Sequence, residues 1–588
     1  MADKALSNQN AKLDDTIFNH RWGFADSKFK VLPDGAVTMT GHRYAISGTE
    51  MPELIEFAEK ALKVKLDLRD IQPEVEQKPV TPPNLNEGFV AAVHAAFAET
   101  QYSTDDLERL IHSHGQTTVE EVYRVLYGKL DRVCDMVFYL EQEDDAVKII
   151  QLAGEHNVCL VPYGGGSSVS CALKLPLTET RMIVMVNTRR LNKIEWIDHE
   201  NHRACIQAGI VGKDLEEQLA EQGYTCGHEP DSLELSTLGG WIATNASGMK
   251  KNRYGNIEQV VESVSMVTPR GQLEQLQSMP RVSMGMQMQQ LMFGSEGNLG
   301  LITKAIIRIH KLPEVTKYNS IVFRNWRTGV EFMHELMQSG TLPASIRLLD
   351  NIQFRFGSAL KPRPTAKQKI MSEIQKRFLL NIKGFDPEEL VAATVLMEGN
   401  SAEVNYQESH VTKLAKKHGG VIGGETNGKR GYMLTYAIAY IRDFLADYYL
   451  IGETYETTAP WNKVNEVCEA VAKRAVELHH QYNLPGIPYV SPRVTQLYHT
   501  GACIYFTHGF STKGVDRPDL VFAKMEHELR QTIMDAGGSI SHHHGIGKLR
   551  ADFMDRTMSS NTMDVLREVK RNQDPQNIFG IRNNIFAE

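Results

Sequence analysis

The chain has 588 residues, 42% of them hydrophobic and 23% charged, the composition of a soluble globular protein with room for two or three domains. Its 64 basic and 72 acidic residues leave a formal net charge of −8, which argues against a general nucleic-acid binder. The seven cysteines are scattered, odd in number and form no CxxC pair, so a disulfide framework is not expected.

No apolar run reaches the roughly 18 to 20 residues that span a bilayer. The stretch "MADKALSNQNAKLDD" has no signal-peptide core and is not an Arg-rich transit sequence, and "IFAE" is not a peroxisomal SKL-type address. Residues 1–15 are polar and expected to be disordered. Residues 16–130 read as an ordered, mostly helical region, with an extended linker punctuated by Pro73, Pro79, Pro82 and Pro83.

From about Asp131 strands and helices alternate. "DMVFYLEQ" reads as a strand. "DDAVKIIQLAGEHN" reads as an amphipathic helix with Ala146, Ile149, Ile150 and Ala153 on one stripe. "VCLVPYGGG" is a strand entering a glycine loop. "MIVMVNT", "ACIQAGI" and "SVSMVTP" are further strands, with a helix at "GKDLEEQLAEQG". This is an α/β domain over 131–312. A second region, 313–510, mixes helices and strands and carries a surface loop, "KPRPTAKQK". Residues 511–588 close the chain.

Three polar, glycine-rich segments of the α/β domain suit a large polar ligand. "PYGGGSSVS" holds Pro162, Gly164, Gly165, Gly166, Ser167 and Ser168. Its consecutive glycines allow close backbone approach and its amides can form an anion nest. It is neither GxGxxG nor GxxxxGK[ST], so alone it is equally a tight turn. "EPDSLELSTLGGWIATNASGMKKNRYGN" holds Asp231, Ser232, Ser236, Thr237, Gly240, Thr244, Ser247 and Gly248. "FGSEGNLGLIT" adds Glu296, Gly297 and Ile302 before an apolar strand.

Together these segments resemble the FAD-binding domain of vanillyl-alcohol-oxidase type flavoproteins. The resemblance implies an α/β (α+β) fold: a two-subdomain FAD-binding domain, an α+β cap, and a C-terminal return to the flavin. The residues just named would hold the cofactor. Covalent flavin attachment through histidine is common in the family; the first loop has no histidine, so non-covalent FAD is expected. Further motifs, "ASGMKKNRYGNIE", "PASIRLLDN", "GYMLTYAIAYIRD", "ETTAPW", "RVTQLYHTGACIYF", "SHHHGIGKLR" and "DPQNIFGIRN", are similar to the alkyldihydroxyacetonephosphate synthase family from about Trp22 onward. That resemblance implies a redox-neutral exchange. The acyl group of 1-acyl-dihydroxyacetone phosphate is replaced by a long-chain fatty alcohol, the flavin carrying the covalent work and the protein moving protons. It also implies a homodimer, peripheral membrane association and a peroxisomal location.

Candidate site residues follow. His542, His543 and His544 read as proton and hydrogen-bond groups. In an extended segment His542 and His544 would share a face and His543 would point away, so three adjacent residues would not converge on a metal. A polar loop without chemistry is the bland alternative. Tyr505 in "ACIYF" resembles the family's active-site tyrosine; an ordinary tyrosine pKa near 10 makes it a poor base unless cations or flavin lower it. Arg442 follows eleven residues without formal charge, and adjacent helical residues do not face each other, so a substrate phosphate is a better partner than Asp443. Arg347 in "PASIRLLD" resembles another active-site arginine. Lys548 and Arg550 are further sources of positive potential.

A sixteen-carbon tail gains roughly 0.8 kcal/mol per buried methylene, so a hydrophobic tunnel opening at a membrane-facing surface of the cap is expected. "KPRPTAKQK" is either a contact for anionic headgroups or an ordinary solvated loop. Two other functions fit the fold. A 2-hydroxy-acid dehydrogenase would bleach its flavin on adding substrate; a lipid-binding scaffold would hold FAD without turnover.

Overall fold

The computed structural model describes residues 21–76 and 80–587. The expected disorder of residues 1–15 and the punctuation at Pro79 lie outside these residues.

Hydrophobic runs became strands where expected. Met136–Tyr139, Ile183–Asn187 and Cys159–Tyr163 pair in parallel, and Tyr102–Ser103 adds an antiparallel edge. Their residues alternate between two cores. Phe138, Leu160 and Val184 join one with the helix Glu143–His156; Val137, Val161 and Met185 join the other. Burial on both faces explains why these strands read as unbroken apolar runs. Each fully buried aliphatic or aromatic side chain here contributes about 1.5–3 kcal/mol. Ile578, Phe579 and Ile581 complete these two cores, so the end of the chain does return to this domain.

A second, antiparallel sheet has the order Gly271–Leu273, Val261–Thr268, Leu301–Arg308, Arg203–Gln207, Ile194–Asp198. The helices Gly212–Glu221 and Leu238–Thr244 cover it. The glycine loop, the 229–248 segment and the 293–303 segment lie where the two sheets meet.

The cap is built on a seven-stranded antiparallel sheet that ends with Tyr489–Tyr498, Gly501–Ser511 and, at its edge, Leu450–Pro460. One face packs on four helices, Trp326–Gln338, Ser401–Lys417, Val464–Gln481 and Pro518–Asp535. Ile504, Phe506, Tyr455 and Val494 point into that core. The opposite face carries Tyr505, Arg493, Thr454 and Thr507 to the cavity. Register aligns Glu456, Tyr505 and Arg493 in one row across three strands. A one-residue slip would turn the row into the apolar core.

Two expectations need correcting. Region 16–130 has its helices but opens with a three-stranded sheet, Phe29–Val31, Val37–Met39 and Glu50–Met51. Strands of two or three residues are too short to show a period of two. In "KPRPTAKQK" only Lys361–Thr365 is loop. The helix Ala366–Arg377 starts inside the motif, where the Thr365 hydroxyl accepts from the Gln368 amide at 3.3 Å.

Candidate active site

A cavity of about 410 Å3 runs between the α/β domain and the cap. One wall is the glycine loop. A Cβ on Gly165 would lie 1.9 Å from the Leu235 carbonyl oxygen, so glycine there lets two cavity-lining segments touch. Pro162, Gly164, Gly165, Gly166, Ser167 and Ser168 line the cavity, as do Asp231, Ser232, Ser236, Thr237, Gly240, Thr244, Ser247, Glu296, Gly297 and Ile302. Gly248 does not. It packs against Glu229, where a Cβ would come within 2.7 Å of the amide nitrogen, and its carbonyl accepts from Gln496 Nε2 at 3.2 Å.

The walls suit FAD in shape and chemistry. A polar cradle of glycines, serines and threonines leads to an aromatic and imidazole cluster, and an apolar arm leaves on the far side through Leu54, Phe57, Ala58, Leu62 and Phe356.

The histidine run is held by two buried carboxylates. Glu456 accepts from the amides of His542, His543 (3.3 Å) and His544 (2.9 Å) and from the Ser541 hydroxyl at 2.7 Å. Glu296 accepts from the amides of Ile546 and Gly547, each at 2.8 Å. Gly545 and Gly547 take φ of +78° and +52°, and a Cβ on Gly547 would lie 2.0 Å from Ser170 O. The segment therefore turns instead of running extended. The alternation expected from an extended strand fails: His543 and His544 line the cavity, and His542 does not. Burial favours the neutral acid of Glu456, but His544 and His543 in their protonated forms and the Arg550 guanidinium outweigh it and hold the carboxyl well below the usual range. Burial pushes all three imidazoles down, His542 to about 3, so they stand neutral at pH 7.

Cys503 Sγ and one nitrogen each from His542 and His543 lie within 4.8 Å of one another. Burial raises the Cys503 thiol. The two histidines share a hydrogen bond at 2.7 Å between Nδ1 atoms. The donor set favours proton handling over metal binding.

Tyr505 lines the cavity, stacked on His543 at 5.8 Å and edge-on to His544 at 5.3 Å, with Oη 3.0 Å from Thr454 Oγ1. Burial raises its pKa further than the neighbouring Arg493 lowers it. Its phenol stays protonated at neutral pH and can donate.

Arg347 is buried, but it stands behind the cavity wall. It donates to Thr435 Oγ1 at 2.6 Å and faces Asp231 at 3.6 Å. Arg442 reaches the cavity, yet Asp443 is its partner after all, at 2.8 and 2.6 Å, along with the carbonyls of Thr117 and Gln116. A long guanidinium folds back along the helix where short side chains cannot, which defeats the argument from adjacency. Lys548 and Arg550 sit behind the histidine segment. Lys548 binds Asn583 Oδ1 at 2.7 Å, and Arg550 donates to Gly545 O at 2.9 Å.

Sequence reading missed Arg493 and Glu456. Arg493 lies with its guanidinium 4.2 Å over the Tyr505 ring and 3.6 Å from Asp231, and its Nε has no partner among the described residues. Arg493 carried a legible signal as the one charge in its strand, whereas Glu456 shares its strand with Glu453 and does not stand out.

A family model described as "FAD binding domain" matches residues 134–277, and one described as "FAD linked oxidases, C-terminal domain" matches residues 312–582. The chain is 40% identical over 566 residues to alkyldihydroxyacetonephosphate synthase of Caenorhabditis elegans, covering 96% of this chain and 94% of the relative. A solved structure of an alkyldihydroxyacetonephosphate synthase superposes with TM-score 0.83 at 28% identity, covering 96% of this chain and 98% of the other. A p-cresol methylhydroxylase structure shares the fold, with TM-score 0.62 at 15% identity over 85% of this chain and 98% of the other. The chain belongs to the alkyldihydroxyacetonephosphate synthase family of FAD enzymes.

Proposed function

We propose that the protein exchanges the acyl group of 1-acyl-dihydroxyacetone phosphate for a long-chain fatty alcohol, giving 1-O-alkyl-dihydroxyacetone phosphate and a fatty acid, an ether-lipid-forming step. One observation carries this reading: a single cavity joins the flavin cradle, the Tyr505–His543–His544 cluster and an apolar arm. FAD, when bound, supplies the covalent chemistry of the exchange. The absence of histidine from the glycine loop supports non-covalent binding.

The protein's own groups have separable tasks. Neutral His543 is the base for the substrate-carbon proton, and His544 borders the same space. Tyr505, protonated, donates to a developing negative oxygen. Arg493, with an unpartnered Nε, grips the phosphate, and Arg442, held by Asp443 and the carbonyls of Thr117 and Gln116, borders the same space and adds positive potential. Arg347 orients Asp231 rather than touching substrate.

Among the described residues no helix is long and apolar enough to cross a membrane. The helix Ala366–Arg377 and the turn Phe378–Ile382 expose Ile370, Ile374, Phe378 and Ile382 at four-residue spacing, the outermost, Ile382, 74% exposed. Lys367, Lys369, Lys376, Arg377 and Lys383 are exposed beside them. This stripe supports peripheral contact with an anionic membrane, whence both lipid substrates arrive. The resemblance adds a homodimer and a peroxisomal location, to be checked by light scattering and by imaging of the tagged protein.

The decisive experiment mixes purified protein, acyl-dihydroxyacetone phosphate and labelled fatty alcohol anaerobically, without an electron acceptor, while the flavin spectrum is followed. Labelled ether lipid should accumulate over many turnovers with the oxidised spectrum returning. No ether, or turnover only with a dye acceptor, would overturn the reading.

A further inference from the structure

His542 does not reach the cavity, yet it is held as firmly as its neighbours. Its Nδ1 lies 2.7 Å from Nδ1 of His543, and its Nε2 lies 2.5 Å from Tyr498 Oη. Tyr498 Oη is 3.2 Å from Gln496 Oε1 and accepts from Asn256 Nδ2 at 3.2 Å. The Ser247 hydroxyl meets Gln496 Oε1 at 2.7 Å and also Asn256 Oδ1. An unbroken set of hydrogen bonds thus leads from the cavity wall at His543 to a polar cluster behind the site.

The contacts allow two arrangements of the same hydrogens. Two Nδ1 atoms in contact share one hydrogen. When His542 holds it, His543 carries its own on Nε2, and His542 Nε2 is bare and accepts from the Tyr498 hydroxyl. When His543 holds it, His543 Nε2 is bare, His542 Nε2 donates to Tyr498, and Tyr498 turns its hydroxyl to Gln496. Both arrangements are neutral and contain the same number of hydrogens, but the chain alone does not convert one into the other: a hydrogen must leave His543 Nε2 and one must reach His542 Nε2, so the contact with Tyr498 biases which arrangement is held.

Fixed groups surround the pair. Glu456 lies under both backbone amides, with Arg550 beyond it. Asp231 and Arg493 face His543, and Tyr505 and His544 pack on its ring. Cys503 and Lys251 approach His542. Lys251 also sits 3.7 Å over the Tyr498 ring and donates to Leu497 O at 2.6 Å, which holds the ring in place.

We propose that Tyr498 is a positioning residue that sets, through His542, whether His543 presents a bare or a protonated nitrogen to the cavity. With its Nε2 bare, His543 takes the substrate proton in one half of the exchange, the positive charge is shared with His542 across the Nδ1 contact, and the same proton is returned in the other half. The proposal rests on the exchange reading for its catalytic consequence; the hydrogen-bond arrangement stands apart from it.

The test uses flavin-loaded wild type and Tyr498→Phe, which keeps the ring under Lys251 and removes only the hydroxyl. The variant should keep its flavin absorbance and hold KM for acyl-dihydroxyacetone phosphate within about twofold, while kcat falls roughly tenfold or more. The limbs of the pH profile of kcat should move. Wild-type kcat and an unmoved pH profile in the variant would overturn the proposal. His542→Gln, which breaks the chain with Tyr498 intact, should give the same kinetic pattern. Loss of flavin in both variants would assign these contacts to structure alone and also overturn it. If wild type makes no ether lipid, the exchange reading fails by itself. Nitrogen-15 shifts of histidine-labelled holoenzyme then decide the relay: the His543 tautomer signature must differ between wild type and Tyr498→Phe, and identical signatures would overturn it.

Discussion

At the scale of a residue, Arg493 illustrates how register makes a site. In "YVSPRVTQLY" it is the one formal charge, and antiparallel pairing sets it opposite Tyr505, whose other neighbour is Glu456. A buried guanidinium without a full set of acceptors is costly unless a ligand completes it. Arg493→Lys removes the planar fork and keeps the charge. If Arg493 grips the phosphate, KM for the acyl substrate should rise by roughly tenfold or more, the equivalent of about 1.5–3 kcal/mol for a charge-assisted contact. An unchanged KM with a lower kcat would place the role of Arg493 on Tyr505 instead. Residues carried by motif were legible in the sequence: Tyr505, His543 and His544 line one cavity. The errors came from assuming local geometry. The amides of His542, His543 and His544 curl around the single Glu456 carboxylate, and a long side chain brought Arg442 to Asp443. Neither follows from spacing alone.

At the scale of an element, long apolar runs could be placed because both hydrophobic period and burial were strong. The helix Glu143–His156 buries Ala146, Ile149, Ile150 and Ala153, the stripe read from the sequence. The first three strands were too short to read. The helix after Thr365 was hidden because its apolar positions face outward, so no core selects them. That outward stripe gives the element its test. Replacing Ile370 and Ile374 with glutamate adds charge to an exposed face and leaves the core formed by Leu379, Leu380 and Phe385 intact. The double variant should lose most sedimentation with anionic liposomes, and turnover of short-chain substrates in solution should stay within about twofold of wild type. Liposome binding equal to wild type would remove this helix from the membrane surface.

At the scale of the whole molecule, no single domain owns the cavity. Its walls come from the helix Leu54–Leu62, both halves of the α/β domain, the cap sheet and the last residues before the end of the chain. A sequence gives such a cavity only as separate polar segments, since their meeting depends on packing between distant elements. FAD bound across them should act as a clamp: a ligand at a hundred times its dissociation constant stabilises the folded state by about 2.7 kcal/mol. Stripping FAD should therefore lower Tm, and returning it should restore Tm. Gly165→Ala tests whether the cradle is the grip. Its Cβ would force Leu235 and the loop apart by at least an ångström, because 1.9 Å is far inside contact distance. The gap in Tm between the FAD-loaded and stripped forms should shrink in this variant. Gly357→Ala, in a helix where a Cβ meets nothing within 4 Å, should leave the gap unchanged. If Gly165→Ala keeps the full gap, the glycines serve chain packing alone and the flavin is held by the remaining walls.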